Sequence, residues 1–148
     1  MRVNLKWQGF LRYKKVVPEA RIDIPVFKGD TGYDMHSIED KTIKAKSSEV
    51  VRTGIAFEIP EDYCGLVRTR SGYGVKNTMQ LHHGLIDSGY RDEITVRIYN
   101  HGTQDYQVKK GDKIAQLVLL PRIVIPLKEE QQLKPSDRGL KGLGSTGK

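Results

Sequence analysis

The chain has 148 residues, of which 37% are apolar and 29% charged, and it holds a single cysteine, Cys64. That is the length and composition of one globular domain, and one cysteine excludes an internal disulfide or a cysteine-rich zinc site. The formal net charge is +7, yet residues 29–127 carry thirteen basic and thirteen acidic side chains, so the excess lies in residues 1–28 and 128–148. A nucleic-acid-binding domain carries its basic stripe on the folded part. This pattern argues against one and leaves room for a small polyanion such as a nucleotide phosphate. No run approaches the ~18 apolar residues of a membrane span, and the basic start, Met1 to Lys15, lacks the apolar core of a secretory signal. The expected compartment is the cytoplasm, that of a host if the chain is viral.

The basic segment Met1 to Lys28 shows no motif. Val50 to Ile59 is rich in β-branched and apolar residues, reads as a strand and stops at Pro60. Gly65 to Arg70 follows the turn Pro60-Glu61-Asp62. Val75 to Gln80 is the one stretch that reads as a short helix. Ile94 to Tyr99 alternates strictly, with three β-branched residues on one face, and ends at the turn cluster Asn100-His101-Gly102. Lys110-Gly111-Asp112 is a further turn, and Ile114 to Leu120 reads as a buried strand. Many short strands punctuated by turns predict an all-β sandwich, barrel or jelly roll. The expected division is an all-β domain over residues 1–126, a β-barrel being one of the forms it can take, and a glycine-rich C-terminal arm over residues 127–148, with four glycines in its last twelve positions.

Four further segments place glycines and polar groups among apolar strands: Thr31-Gly32-Tyr33-Asp34-Met35, Arg70-Ser71-Gly72-Tyr73-Gly74, Gly84-Leu85-Ile86-Asp87-Ser88-Gly89-Tyr90-Arg91, and Gly111-Asp112-Lys113-Ile114-Ala115-Gln116-Leu117. The tail supplies a fifth, Arg138-Gly139-Leu140-Lys141-Gly142-Leu143-Gly144-Ser145-Thr146-Gly147. Backbone N–H groups freed by glycine, with hydroxyls and an arginine, suit the wrapping of an anion. The tail is not a Walker A loop, which needs a helix after its Lys-Ser/Thr.

In this order, the five segments resemble the motifs of the trimeric dUTP diphosphatase (dUTPase) family, from about residue 29 to 148. The resemblance implies a jelly-roll-like β-barrel, a homotrimer with sites built from all three chains, and Mg²⁺-dependent hydrolysis of dUTP to dUMP and pyrophosphate. It implies that Asp87 holds and activates the water that attacks the α-phosphorus, and a carboxylate suits proton acceptance. Tyr90 would press on the deoxyribose and leave no room for a 2′-hydroxyl. The backbone from Leu81 to Leu85, with His82, Gly84 and Ile86, would read the uracil edge. Arg70, Ser71 and Gly72 would bind the phosphate chain, and Gln116 the α-phosphate. Asp34 would either order water around Mg²⁺ or anchor the phosphate-site arginine, the metal itself resting mainly on triphosphate oxygens and water. Arg138, Gly144, Ser145 and Thr146 would close over the γ-phosphate. The basic N-terminal segment would be an edge strand and part of the trimer contact.

The sequence departs from the family pattern in four places. Leu143 stands where an aromatic stacks on uracil, a loss of ~0.5–1.5 kcal/mol of stacking. Asp92 replaces a glycine after Tyr-Arg, Thr69 replaces a proline before Arg-Ser, and His82 and His83 precede the third motif. As neighbours in a strand those two histidines point to opposite faces, and with His36 and His101 they have no metal-ligand spacing; one of them lines the pocket in this reading. Two other functions compete. A dCTP deaminase of the same fold needs a pocket carboxyl that shuttles protons to the base, and only Asp87 is available. A non-catalytic dUTP-binding regulator would bind without turnover, against which the intact Asp87 stands.

Overall fold

A computed structural model describes residues 9–82, 84–137 and 139. The described chain is mostly β-strand with one short helix. The strands are β1 (Arg12–Lys15), β2 (Ile22–Asp23), β3 (Tyr33–His36), β4 (Lys41–Ile43), β5 (Ser48–Arg52), β6 (Ile55–Glu58), β7 (Tyr63–Arg68), β8 (Met79–Leu81), β9 (Leu85–Ile86), β10 (Thr95–Asn100), β11 (Tyr106–Val108) and β12 (Lys113–Pro121), and the helix α1 spans Ser71–Asn77. They form four small antiparallel sheets ordered β1-β6, β5-β10-β8, β11-β4 and β2-β3-β12-β7-β9. All four contribute to one apolar core. Ile94, Val96 and Ile98 enter it from one face of the β10 segment, as the period-2 alternation requires.

The stretch from Val50 to Ile59 is two strands rather than one. Gly54 breaks it with φ +68°, and a Cβ there would come within 2.7 Å of Ala20 Cβ and 3.0 Å of both Ile38 and Val17 methyls. Only glycine meets both the left-handed backbone and the close approach. The break transfers the chain from the β5-β10-β8 sheet to β6, where β1 pairs from Arg12↔Glu58 to Lys15↔Ile55. The basic N-terminal segment therefore does supply an edge strand, and β1 has no second partner among the described residues.

The helix begins four residues before the expected Val75 and ends at Asn77. Arg70 caps it in extended conformation, and Thr78 ends it in the left-handed region with its N–H on Tyr73 O. Tyr73 anchors it, buried and edge-on to Tyr106 at 5.4 Å. After Pro121 the described chain has no further helix or strand. Among the described residues no helix is long and apolar enough to cross a membrane.

Two features of the five-stranded sheet position the site. The first is a bulge in β12: Lys113 pairs with His36 and Ala115 with Met35, so Ile114 is an extra residue. In a regular strand Lys113 and Gln116, three apart, would face opposite sides; the extra residue reverses that parity and brings them to one face. The second is a parting of strands after Leu81. β8 and β9, which flank the backbone expected to read uracil, do not pair with each other: β8 bonds to β10 and β9 to β7, in two different sheets. Each strand finds its partner in a different sheet, and the corner opens between them.

Candidate active site

Gly32, Asp34, Arg70, Ser71, Gly72 and Gln116 line one cavity of about 270 Å³ together with Ile24 and Val26. Three of the sequence motifs thus meet without help from another chain. The meeting follows from register: Gln116 on β12 lies between Asp34 on β3 and Arg68 on β7, and Arg70 leaves the end of β7 beside it. Gly32 is there because a Cβ would collide with the Gln116 amide oxygen. The Gln116 amide N–H donates to Thr69 O at 3.2 Å, and Thr69 Oγ1 accepts the Leu81 N–H at 3.0 Å. Thr69, just before the second motif, therefore ties the fourth motif and the end of β8 together through its carbonyl and side chain, where a proline would offer only the carbonyl.

The charges at this cavity alternate along a chain. Arg70 Nε donates to Asp34 Oδ1 at 2.8 Å, Lys113 Nζ to Asp34 Oδ2 at 3.0 Å and also to Asp23 Oδ2 at 2.9 Å, and Arg21 Nε to Asp23 Oδ1 at 2.8 Å. Asp23 and Asp34 face each other directly in the β2–β3 pair, an arrangement that like charges make unfavourable. The Lys113 ammonium between them removes the conflict. Hydrogen bonding to Lys113 holds the Asp23 carboxyl well below the usual carboxylate range, with Arg21 and His36 adding to it against partial burial. The two carboxylates in turn hold the Lys113 ammonium above its ordinary value, Asp23 first. Buried His36 has its Nδ1 2.8 Å from Gly111 O, and its Nε2 lies 3.1 Å from Asp23 Oδ2. Among the described residues the Arg70 terminal amino groups have no partner, so Asp34 fixes the guanidinium by Nε and leaves its outer edge to the cavity.

Asp34 therefore anchors the arginine. Both of its oxygens face cations, which is a poor setting for direct Mg²⁺ coordination. No group of three His, Cys, Asp or Glu side chains among the described residues could hold a metal ion.

Asp87 and Tyr90 lie elsewhere. Ile86 pairs with Gly65 and Leu85 with Leu66, so the antiparallel ladder carries Asp87 toward Cys64, away from the end of β7 that leads to Arg70. At ~3.3 Å per residue the separation along β7 exceeds about 10 Å. Asp87, Leu85, His82 and Tyr90 are exposed, and Gly84 and Ile86 half-buried. The turn is braced by itself: Tyr90 N–H donates to Asp87 O at 3.1 Å, and Arg91 Nη1 to Ser88 O at 2.5 Å and Tyr90 O at 2.9 Å. Leu81 is buried in the core and does not line the cavity. Arg138, Leu143, Gly144, Ser145 and Thr146 lie outside the described residues, as does His83. Sequence reading passed over Asp23, which has no motif around it, and Lys113, which stood inside the fourth motif.

The sequence profile of the dUTPase family matches residues 19–147. The chain belongs to the dUTPase family. A deoxyuridine 5′-triphosphate nucleotidohydrolase of Clostridium acetobutylicum is 40% identical over 139 residues, 93% of this chain and 96% of that protein. One of Nautilia profundicola is 40% identical over 140 residues, covering 93% and 99%. Among solved structures, a point mutant of the dUTPase of Staphylococcus bacteriophage 80alpha with dUpNHpp superposes with a TM-score of 0.89 at 29% identity, covering 95% of this chain and 99% of that one. A mutant dUTPase of phage phi11 of S. aureus, described for its structural Mg(II) ion, has a TM-score of 0.81 at 27% identity, covering 86% and 100%. The all-β architecture expected from the turn-punctuated strands is thus observed, and the jelly-roll-like form that the resemblance implies is the fold of the family.

Proposed function

We propose that the chain hydrolyses dUTP to dUMP and pyrophosphate, which limits uracil incorporation into DNA and supplies dUMP for dTTP synthesis. The observation that carries the reading is the convergence of Gly32, Asp34, Arg70, Ser71 and Gln116 on one polar cavity in a chain of this family. Arg70, held by Nε alone among the described residues, presents a bidentate edge to phosphate. Ser71 and Gly72, at the start of α1, and the second N–H of the Gln116 amide join it. Asp87 accepts a proton from a water whose oxygen bonds to the α-phosphorus while the bridge to the β-phosphate breaks, so pyrophosphate leaves. Tyr90 packs on the deoxyribose, and the open corner at Leu81, His82, Gly84, Leu85 and Ile86 reads uracil through its backbone. When bound, Mg²⁺ neutralises charge on the triphosphate. Arg138, Gly144, Ser145 and Thr146 close the site from the arm of residues 127–148, with Leu143 giving apolar contact to the base.

The working unit is the homotrimer that the family resemblance implies, and the distance between Asp87 and the phosphate cavity of its own chain supports an assembly with shared sites. Exposed apolar side chains support this: Ile123, Val124, Ile125 and Leu127 are 73–101% exposed in the single chain. The test is pyrophosphate release from dUTP with Mg²⁺, beside dTTP, dCTP and UTP. Release from dUTP alone, reduced by about 10²–10⁴ in Asp87→Asn, is the expected result. No turnover of any nucleotide by the folded protein overturns the reading, and ammonia release from dCTP replaces it with deamination.

A further inference from the structure

Tyr90 sits on an exposed turn, yet its ring is tied at the far end. The phenol Oη donates to Glu93 O at 3.1 Å. That carbonyl belongs to a residue gripped by the barrel rather than by the turn. The Glu93 carboxylate, 11% exposed, accepts from Arg52 Nη2 at 2.7 Å, from Arg52 Nε at 3.1 and 3.2 Å, and from the Gly54 N–H at 2.8 Å. The next residue is stitched to the same bend: Thr53 Oγ1 donates to Ile94 O at 2.6 Å, and Ile94 N–H to Ile55 O at 2.8 Å. The bend at Thr53-Gly54 is itself fixed by the left-handed Gly54 and its contacts with Ala20, Ile38 and Val17. Asp92, where the family pattern has glycine, accepts a further bond from the Glu93 N–H at 2.7 Å.

A bidentate guanidinium–carboxylate pair with a third donor on the same carboxylate is a rigid unit. The Glu93 pairing also raises the Arg52 guanidinium further above its ordinary value. The geometry points to a role for it: Arg52 and Glu93 are positioning residues that set the discrimination between deoxyribose and ribose by locking the ring of Tyr90. Neither needs to touch the nucleotide. A tyrosine that excludes a 2′-hydroxyl by contact does so only if its ring cannot retreat by the width of one oxygen. A phenol tethered only to its own turn would move with the turn. Tethered to Glu93 O, it moves only if the β5–β6 bend moves. This inference rests on the proposed role of Tyr90 in a dUTP-hydrolysing site.

The test is kcat/KM for dUTP and for UTP, measured on the full chain with Mg²⁺, in the wild type, Glu93→Ala, Arg52→Met, Arg52→Lys and Tyr90→Phe. The expected result is a fall in the dUTP:UTP ratio of roughly tenfold in Glu93→Ala, a scale set by the discrimination that steric fit provides, through a gain on UTP more than a loss on dUTP. Arg52→Met, which keeps the Gly54 bond, shows a smaller fall, and Arg52→Lys restores most of the ratio. Tyr90→Phe loosens the ring directly, and adding Glu93→Ala to it lowers the ratio no further. A wild-type ratio in Arg52→Met and Glu93→Ala, or a fall that adds to that of Tyr90→Phe, overturns the inference while dUTP hydrolysis stands. A wild type that turns over no dUTP overturns the functional reading and this inference with it.

Discussion

The phosphate cavity and the Asp87–Tyr90 turn are built on opposite plans. The cavity is cross-braced: strands β2, β3 and β12 and the end of β7 hold one another through the charge chain from Arg21 to Arg70. The turn is exposed and is held by its own backbone and by one tether to Glu93. A group that binds a polyanion needs a fixed counter-charge, and in partly buried surroundings that charge needs partners of its own. A group that must act on a substrate held by another surface needs reach and exposure instead. In the proposed reading the chain carries two half-sites, and the division is what an assembly with shared sites would require.

The largest expected effect tests that division directly. Asp87→Asn and Arg70→Gln should each reduce turnover by about 10²–10³-fold or more, as loss of a base or of a charge-stabilising donor does. Mixing the two inactive proteins under conditions of subunit exchange should then restore activity to about a quarter of the sites, those that draw Asp87 from one parent and Arg70 from the other. No recovery, with exchange verified by mass, would mean that both residues of a site come from one chain. A second, smaller effect separates fit from stability. In Gly32→Ala the added methyl displaces the Gln116 amide, the end of a flexible side chain that can swing away. The melting temperature should barely change while kcat/KM for dUTP falls on the order of 10²-fold, the scale of an ångström of misplacement. A large loss of stability would show instead that the amide has nowhere to go.

The motifs were legible in the sequence because they are local. Glycine, hydroxyl and charge at fixed spacing mark Arg70 to Gly72 and Gly84 to Arg91, and alternation alone marks the inward face from Ile94 to Ile98. What joins the motifs was not legible. The bulge at Ile114 reverses the parity of β12, and no residue there signals it, so the shared face of Lys113 and Gln116 could not be read from their spacing. Asp23 acquires meaning only from register, opposite Asp34. The helix was placed late because Ser71-Gly72-Tyr73-Gly74 has poor helix propensity. Burial of Tyr73 against Tyr106 overrides that propensity. The bend at Gly54 looked like one strand because its cause, contact with Ala20, Val17 and Ile38, is made by residues far off in the chain.

Lys113 offers a more moderate effect on the braced side. Lys113→Met leaves Asp23 and Asp34 facing each other without a cation between them and takes one of two partners from the carboxylate that fixes Arg70. Stability should fall by about 1–3 kcal/mol, the cost of leaving such groups unsatisfied, and kcat/KM by about tenfold. Lys113→Arg should recover most of both. Urea denaturation alongside steady-state kinetics measures the two effects. A variant that loses stability but no activity would show that Arg70 holds its place without the chain of charges behind it.

The smallest effect is a pH dependence confined to the same cluster. The Asp23 carboxyl is held well below its unfolded value, chiefly by Lys113. A depressed carboxylate binds protons more readily unfolded than folded, so it contributes stability above its unfolded value of about 4 and loses it as the pH falls toward the folded one. The contribution is therefore complete at neutral pH and erodes below about pH 4. In Asp23→Asn the melting temperature at pH 7 should be lower than in the wild type, and the two curves should converge as the solution is acidified. Because Asp23 reaches Arg70 only through Lys113 and Asp34, its loss should weaken binding of a non-hydrolysable dUTP analogue but leave deoxyuridine binding unchanged. The nucleoside carries no phosphate for Arg70 to meet. Equal weakening of both ligands would mean that the cluster supports the whole barrel rather than the phosphate half alone.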